Sequence, residues 1–265
     1  MDIDEANLNN LTGLWKKYGF DVLNDAMGPA MLINPSWPHR CWYESLPSID
    51  DQKDNLLQAI NDGALLTGIS QSTVIPIWSF VSTRPTNLLP FQAELEFLEK
   101  ELIAQKWACH FEQTAMYLEL PDETTIAPSV NLEFPIRIVT SYEELALWID
   151  VCEDAFDYDI EALVLEPLIG DKDIRIMLGD IDDQAVAAAL LYKTDHTIGI
   201  HQVGVKKAFQ GKGLASRLMH EILGICIQWG GKNAVLQASQ AGISLYHRLG
   251  FNSQFIIKNY RRRSP

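Results

Sequence analysis

Cysteine is scarce in this chain, and what there is does not group. Cys41, Cys109, Cys152 and Cys226 lie far apart, form no C-x-x-C pair and have few histidines near them. No zinc site is expected from that pattern, and the thiols read as small buried apolar residues of a reducing compartment. Long apolar runs are missing too: none approaches the roughly 18 residues of a membrane span. The opening Met1-Asp2-Ile3-Asp4-Glu5 has neither the basic nor the apolar region of a secretory signal. These absences make the cytoplasm the default location, with no membrane partner. Basic residues are outnumbered, 21 against 35 acidic, for a net charge of −14. The deficit sits in the front half: residues 1–133 hold 7 basic and 19 acidic residues, residues 134–265 hold 14 and 16. Such an acidic front argues against nucleic acid as partner. It suits cationic small molecules or basic peptides, with plain solubility as the alternative.

The chain is long enough, at 265 residues, for one large or two small domains, and its 47% hydrophobic and 21% charged residues are those of a globular protein. Leu8, Leu11, Leu14, Trp15 and Tyr18 form a helical stripe over 5–20, ending near Gly19. Residues 29–44 predict two short strands around the aromatic loop Trp37-Pro38-His39-Arg40-Cys41-Trp42, whose tryptophans are expected between packed layers, with an exposed, ligand-binding loop as the alternative. A helix over 50–62, a strand from Val74 to Val81, a helix from Phe91 to Gln105 and one or two strands from Trp107 to Leu120 complete the front half. Residues 1–120 thus read as an acidic α/β domain, and the Pro- and Thr-rich stretch 121–134 as a linker.

The second domain, 135–265, starts with a strand at Ile136–Val139. Ser141 and Glu144 then make a capping-box-like start to a helix reaching about Phe156. A second helical piece follows at about 160–169, then a strand pair joined by an acidic turn at Asp180–Asp183. The stretch from Val203 to Ala215 organises this half. Ile198, Ile200, Val203 and Val205 give a β-branched approach, and from Leu214 to about Trp229 apolar residues recur at helical spacing. Gly211 and Gly213 between them let the backbone approach a bulky ligand and turn successive N–H groups the same way. A helix starting there offers free N–H groups and a positive dipole end to a phosphate or pyrophosphate. The turn lacks the Gly-Lys-Ser/Thr end of a Walker loop and the third glycine of a dinucleotide fingerprint. An ordinary strand-to-helix bend is the alternative. Beyond the helix come Gly230-Gly231, a strand at Ala234–Ala238, a short helix at Ile243–Leu249 and a last strand at Phe255–Tyr260.

Gln210-x-x-Gly213-x-Ala215, preceded by Val203-x-Val205, resembles motif A of the GNAT superfamily of N-acetyltransferases. Leu245-Tyr246-x-x-x-Gly250-Phe251, about 35 residues on, resembles the family's L-Y-x-x-x-G-F signature. The order β-α-α-β-β-β-α-β-α-β over 134–260 is similar to the GNAT fold. The resemblance implies an α/β (α+β) architecture: a mixed, mostly antiparallel sheet flanked by helices, preceded by a smaller α/β domain that is either a degenerate second GNAT-like copy or a substrate-side or dimer-forming domain. It implies acetyl-CoA as co-substrate and no metal. Backbone near Val203, Gly204 and Val205 would pair with the pantetheine arm. The N–H groups of Gln210, Gly211, Lys212, Gly213, Leu214, Ala215 and Ser216 would hold the pyrophosphate, with the Ser216 hydroxyl as a further donor. Tyr246 occupies the acid position. His201 stands where the family often carries a glutamate base, and alternation would put it on one strand face with Val203 and Val205; a core or edge histidine without a catalytic role is the alternative. Ser239 stands where the family often has asparagine toward the pantetheine arm. Glu153, Asp154, Asp157, Asp159 and Glu161 crowd together on the expected acceptor side, either helping a cationic amine to dock or forming a solvated acidic loop.

Acetyl transfer to the amine of a small molecule or amino-acid-like acceptor, by direct attack, is the function this implies. A non-catalytic acyl-CoA-binding regulator is the alternative, since His201 and Ser239 depart from the commoner residues. An interaction scaffold using the acidic front half is a third, and a homodimer stays open.

Overall fold

The computed structural model describes residues 2–22, 31–43, 72–78, 96, 99–100, 102–121 and 134–262. The helix predicted over 50–62, most of that over 91–105, and the stretch 122–133 lie outside the described residues.

The first helix, α1 (Ile3–Lys17), is capped by Asp2, whose side chain accepts from the Asp4 N–H at 3.2 Å. Leu8, Leu11, Leu14 and Trp15 fall on its buried face as the stripe predicts, but so do Asn7 and Asn10, both completely buried. Three short strands follow as a small antiparallel sheet: β1 (Asp21–Val22), β2 (Met31–Ile33) and β3 (Cys41–Tyr43). The next strands are β4 (Val74–Trp78) and one long β5 (Trp107–Glu119).

From residue 136 the elements run β6 (Ile136–Ile138), α2 (Tyr142–Phe156), α3 (Ala162–Leu165), β7 (Ile174–Ile181), β8 (Gln184–Thr194), β9 (Thr197–Val205), α4 (Leu214–Gln228), β10 (Asn233–Ser239), α5 (Ile243–Arg248) and β11 (Asn252–Arg262). This is the predicted order. Ser141 caps α2 by accepting from the Glu144 N–H at 3.3 Å, and Glu144 reaches back to the Thr140 N–H at 2.7 Å. The turn between β7 and β8 has both Asp182 and Asp183 at positive φ, 49° and 60°, the pairing that matches hairpin twist.

One eight-stranded sheet carries all this, in the order β4-β11-β5-β10-β9-β8-β7-β6, antiparallel except where β10 meets β9. Local patterning gave no hint of one relationship in it. The strand β5, assigned by sequence to the front half, lies between β10 and β11 and hydrogen-bonds to both. The main sheet therefore draws strands from both sides of the 121–134 stretch. Helices α1, α2 and α3 cover one face, and α4 and α5 the other. Trp148 of α2 is fully buried and donates from Nε1 to the Ala189 carbonyl at 3.0 Å. No helix among the described residues is long and apolar enough to cross a membrane.

Candidate active site

The site begins where two strands part. β9 and β10 pair in parallel only from Asn233 with Thr197 to Val235 with Gly199. Beyond that point β9 runs on to Val205 and β10 to Ser239 without a ladder between them, leaving a cleft lined by backbone.

A β-bulge shapes the β9 side. Ala188 opposes Gly204 while Leu190 opposes His201, so β9 carries one extra residue, and Gln202 there sits at φ 52°. The bulge reverses the facing of everything after it. Ile198, Ile200 and Val205 pack in the core under α4, with Val203 partly buried against it. Gly199 and His201 point the other way, toward α1. The expectation that His201, Val203 and Val205 share a face is thus corrected: the extra residue breaks the period of two.

His201 is 8% exposed, and its Nε2 lies 3.1 Å from Asn10 Oδ1. The Asn10 amide nitrogen donates to the Tyr192 carbonyl and to Thr194 Oγ1, each at 2.9 Å. With the amide nitrogen so committed, Oδ1 is the acceptor and His201 Nε2 carries the proton. Burial pushes the imidazole down to about 4, so it is neutral at pH 7. Gly199 lies directly beneath this pair, and a Cβ there would collide with both side chains.

The turn after β9 is open. Gly211 (φ 74°) and Gly213 (φ 77°) take left-handed backbone, and a Cβ on either would meet nothing within 4 Å. It is the backbone angle that asks for glycine here. Gln210 braces the turn by donating from Nε2 to the Val205 carbonyl at 2.9 Å. Gly213 is the N-cap of α4 and offers no side-chain cap, so the first-turn N–H groups of the helix face open space. Leu214 anchors the helix in the core, Ala215 packs partly against it and Ser216 is half-buried. Lys212 is exposed, its Nζ 4.9 Å from the Phe209 ring centroid. Gly204 is held close to Ala155 and Phe156 of α2. Left-handed glycines, an uncapped helix start and the parted strands fit a pyrophosphate with an extended arm, as acetyl-CoA requires.

The cleft opens into a cavity of about 270 Å³. Ile200, His201 and Val203 of β9 line it, as do Leu236 and Ser239 of β10 and Tyr246 of α5. Tyr246 packs edge-on to Phe251 with ring centroids 5.8 Å apart, and burial pushes its phenol up to about 12. The Ser239 carbonyl accepts the Gly242 N–H at 2.9 Å, which sets the approach of α5.

The far wall comes from the front of the chain: Leu11, Leu14 and Trp15 of α1 and Tyr18 at its C-cap, with Trp37 and Arg40 from the aromatic loop. Sequence patterning favoured packing for the loop's tryptophans, kept ligand binding by the loop as the alternative, and gave Arg40 no role of its own. Their placement depends on α1 lying across the sheet, which local periodicity does not encode.

The acidic cluster does not line this cavity. Glu153 accepts the Ile160 N–H at 2.8 Å, Asp154 accepts the Lys207 N–H at 2.6 Å, and Asp157 pairs with Lys207 Nζ. Glu161 accepts the Trp37 N–H at 3.0 Å, and Asp159 is exposed. The expected docking role is replaced by loop bracing. The cysteines offer no activated thiol either: burial pushes Cys41 and Cys226 up to about 12 and Cys152 well above its ordinary value, and Cys109 is raised as well. Among the described residues no group of three or more His, Cys, Asp or Glu could hold a metal.

Residues 141–251 match the family model described as the acetyltransferase (GNAT) family. They form a GNAT acetyltransferase domain. Solved structures extend the likeness beyond that domain to most of the chain. A GCN5-related N-acetyltransferase from Kribbella flavida superposes with a TM-score of 0.67 at 15% identity, over 98% of this chain and 95% of that one. One from Sphaerobacter thermophilus gives 0.62 at 14%, over 95% and 84%. A tandem GNAT protein from the clavulanic acid biosynthesis pathway gives 0.59 at 11%, over 88% and 78%. At such identities the likeness is one of fold. A search of curated proteins finds no significant sequence match. The GNAT domain here includes the glycine turn, both parted strands and Tyr246.

Proposed function

We propose that this chain is an acetyl-CoA-dependent N-acetyltransferase of the cytoplasm, acting on the amine of a small molecule or amino-acid-like acceptor by direct attack. One observation carries the proposal. β9 lines the cavity that Tyr246 also lines, parts from β10 there, and leads on into the glycine turn and the uncapped start of α4.

Acetyl-CoA supplies an acetyl group activated as a thioester, whose carbon–sulfur bond is exchanged for a bond to the acceptor's nitrogen. Backbone N–H groups from Gln210 to Ser216 hold the pyrophosphate, with Lys212 adding positive charge. Backbone at Val203, Gly204 and Val205 pairs with the pantetheine arm, since the parted strand has groups to spare, and Ser239 adds a hydroxyl at the opposite lip. Tyr246 donates to the leaving sulfur. Its raised pKa keeps it protonated across the working range, so the donor is always present.

His201 enters with a changed role. A base titrating near 4 is poorly matched to an ammonium, and its Nε2–H is already given to Asn10. We assign it to holding α1 over the cavity rather than to taking the acceptor's proton. The apolar walls themselves lower an ammonium's pKa by desolvation, so that the acceptor reaches its attacking form without a strong base.

The test is acetyl-CoA binding by calorimetry, paired with CoA thiol release across a panel of small amines. Binding with turnover of at least one amine is expected. No binding overturns the proposal, and binding without turnover of any amine favours a regulator.

A further inference from the structure

Arg40 lies against two aromatic rings in the wall of the cavity. Its guanidinium carbon is 5.9 Å from the Trp15 ring centroid and 5.5 Å from that of Phe111. Nη1 donates to Asn259 Oδ1 at 3.0 Å, while Nε is buried without a hydrogen-bond partner. Among the described residues no carboxylate pairs with it. Burial lowers the guanidinium only to about 10, so it stays cationic at neutral pH. A partly buried guanidinium that no described carboxylate neutralises favours an anionic ligand, and its planar head suits the two oxygens of a carboxylate.

The rest of the wall narrows the ligand. Arg40 is the one charged side chain among the described residues lining the cavity. One cation matches one carboxylate and is too little for a phosphate dianion. No acidic side chain among those lining residues offers a second ammonium a partner, which disfavours polyamines. Leu11, Leu14, Trp15, Trp37 and Phe156 give apolar surface for the body of the ligand.

We propose that Arg40 binds the carboxylate of the acceptor, so that the acceptor is an amino acid with an apolar or aromatic side chain. Its amine is directed toward Tyr246, at the cleft. This rests on the acyl-transfer reading above, and deepens it by naming the acceptor class.

The experiment compares matched pairs: phenylalanine with phenylethylamine, and leucine with isoamylamine. The wild type is expected to favour the amino acid by roughly tenfold to a hundredfold in kcat/KM, as a charged hydrogen-bonded pair allows. Arg40→Gln should collapse that ratio to near one, with Arg40→Lys intermediate because it keeps charge but not the fork. Unaltered acetyl-CoA affinity and thermal unfolding check that the variants are folded. If Arg40→Gln is not, the ratio is read from wild type and Arg40→Lys alone. Equal use of both members of each pair by the wild type overturns the anchor and leaves acyl transfer standing. If nothing is turned over, calorimetric titration of the same compounds decides. An amino acid bound by the wild type and released by the variant supports the anchor while acyl transfer fails. Binding of neither member of a pair overturns the anchor.

Discussion

Asn10 on the first helix and His201 on β9 meet at 3.1 Å across 191 residues of sequence. This contact, with the two other bonds of Asn10, ties α1 to the main sheet and so builds the far wall of the cavity. Replacing Asn10 by leucine leaves a buried imidazole N–H and the Tyr192 carbonyl without their partner. The expected loss is about 1–3 kcal/mol for each such group, read from urea unfolding, with a larger loss in acceptor affinity than in acetyl-CoA affinity.

Acid should weaken the fold through His201. Its folded pKa is depressed to about 4, while the unfolded chain titrates at about 6.5. Below that value the unfolded state takes up a proton that the folded state refuses. Stability is therefore fully present above about pH 6.5 and falls as the pH drops toward 4, by about 2 kcal/mol at pH 5. Other groups titrate in this range too, so the measurement is the difference between wild type and His201→Gln in urea midpoints at pH 7 and pH 5. Equal slopes in the two proteins would refute the assignment.

Tyr246→Phe removes a hydroxyl and leaves the ring against Phe251. We expect kcat to fall by about 10²–10⁴, with acetyl-CoA affinity held within a few-fold. A variant with full turnover would show that Tyr246 only lines the cavity.

The same substitution should have opposite effects at two glycines of similar openness. Gly213 is left-handed at φ 77°, while Gly224 lies inside α4, and neither has an atom within 4 Å of a new Cβ. Gly213→Ala is expected to cost about 1–2 kcal/mol in backbone strain and to weaken acetyl-CoA binding. Gly224→Ala should stabilise by up to about 1 kcal/mol and leave binding alone. Thermal unfolding and calorimetry on the pair separate the backbone angle from mere bulk.

A chain starting at residue 121 lacks β5 and so the strand that joins β10 to β11. It should fail to give a cooperative unfolding transition, although the GNAT family model spans only 141–251. A folded, active fragment would mean that β11 can pair directly with β10.

The local features of the GNAT half were legible because they are local. The capping pair Ser141 and Glu144, the left-handed positions at Gly211 and Gly213, and the periodic face of α4 each depend on neighbours in sequence. The pairing of β5 was not, because alternation along a strand states which face is buried but not which strand lies alongside. The bulge at Gln202 was hidden for a related reason: one inserted residue changes the facing of His201 without changing any residue type. Arg40 stood in a string of aromatics for which packing was the favoured reading and ligand binding the alternative, and its place in the cavity wall exists only once α1 brings Trp15 beside it. For the same reason the carboxylates at 153–161 looked like a docking surface until their partners, Lys207 and the loop N–H groups, were in place.

The position of β11 has a bearing on biosynthesis. Strand β11 inserts between β4 and β5, so those two cannot be joined in the sheet until β11 has been made. Until then β5 presents an unsatisfied edge, and the sheet beside the cleft is incomplete. Closure waits for β11, which leaves the nascent protein open to strand-edge aggregation until then and makes its yield sensitive to holding chaperones.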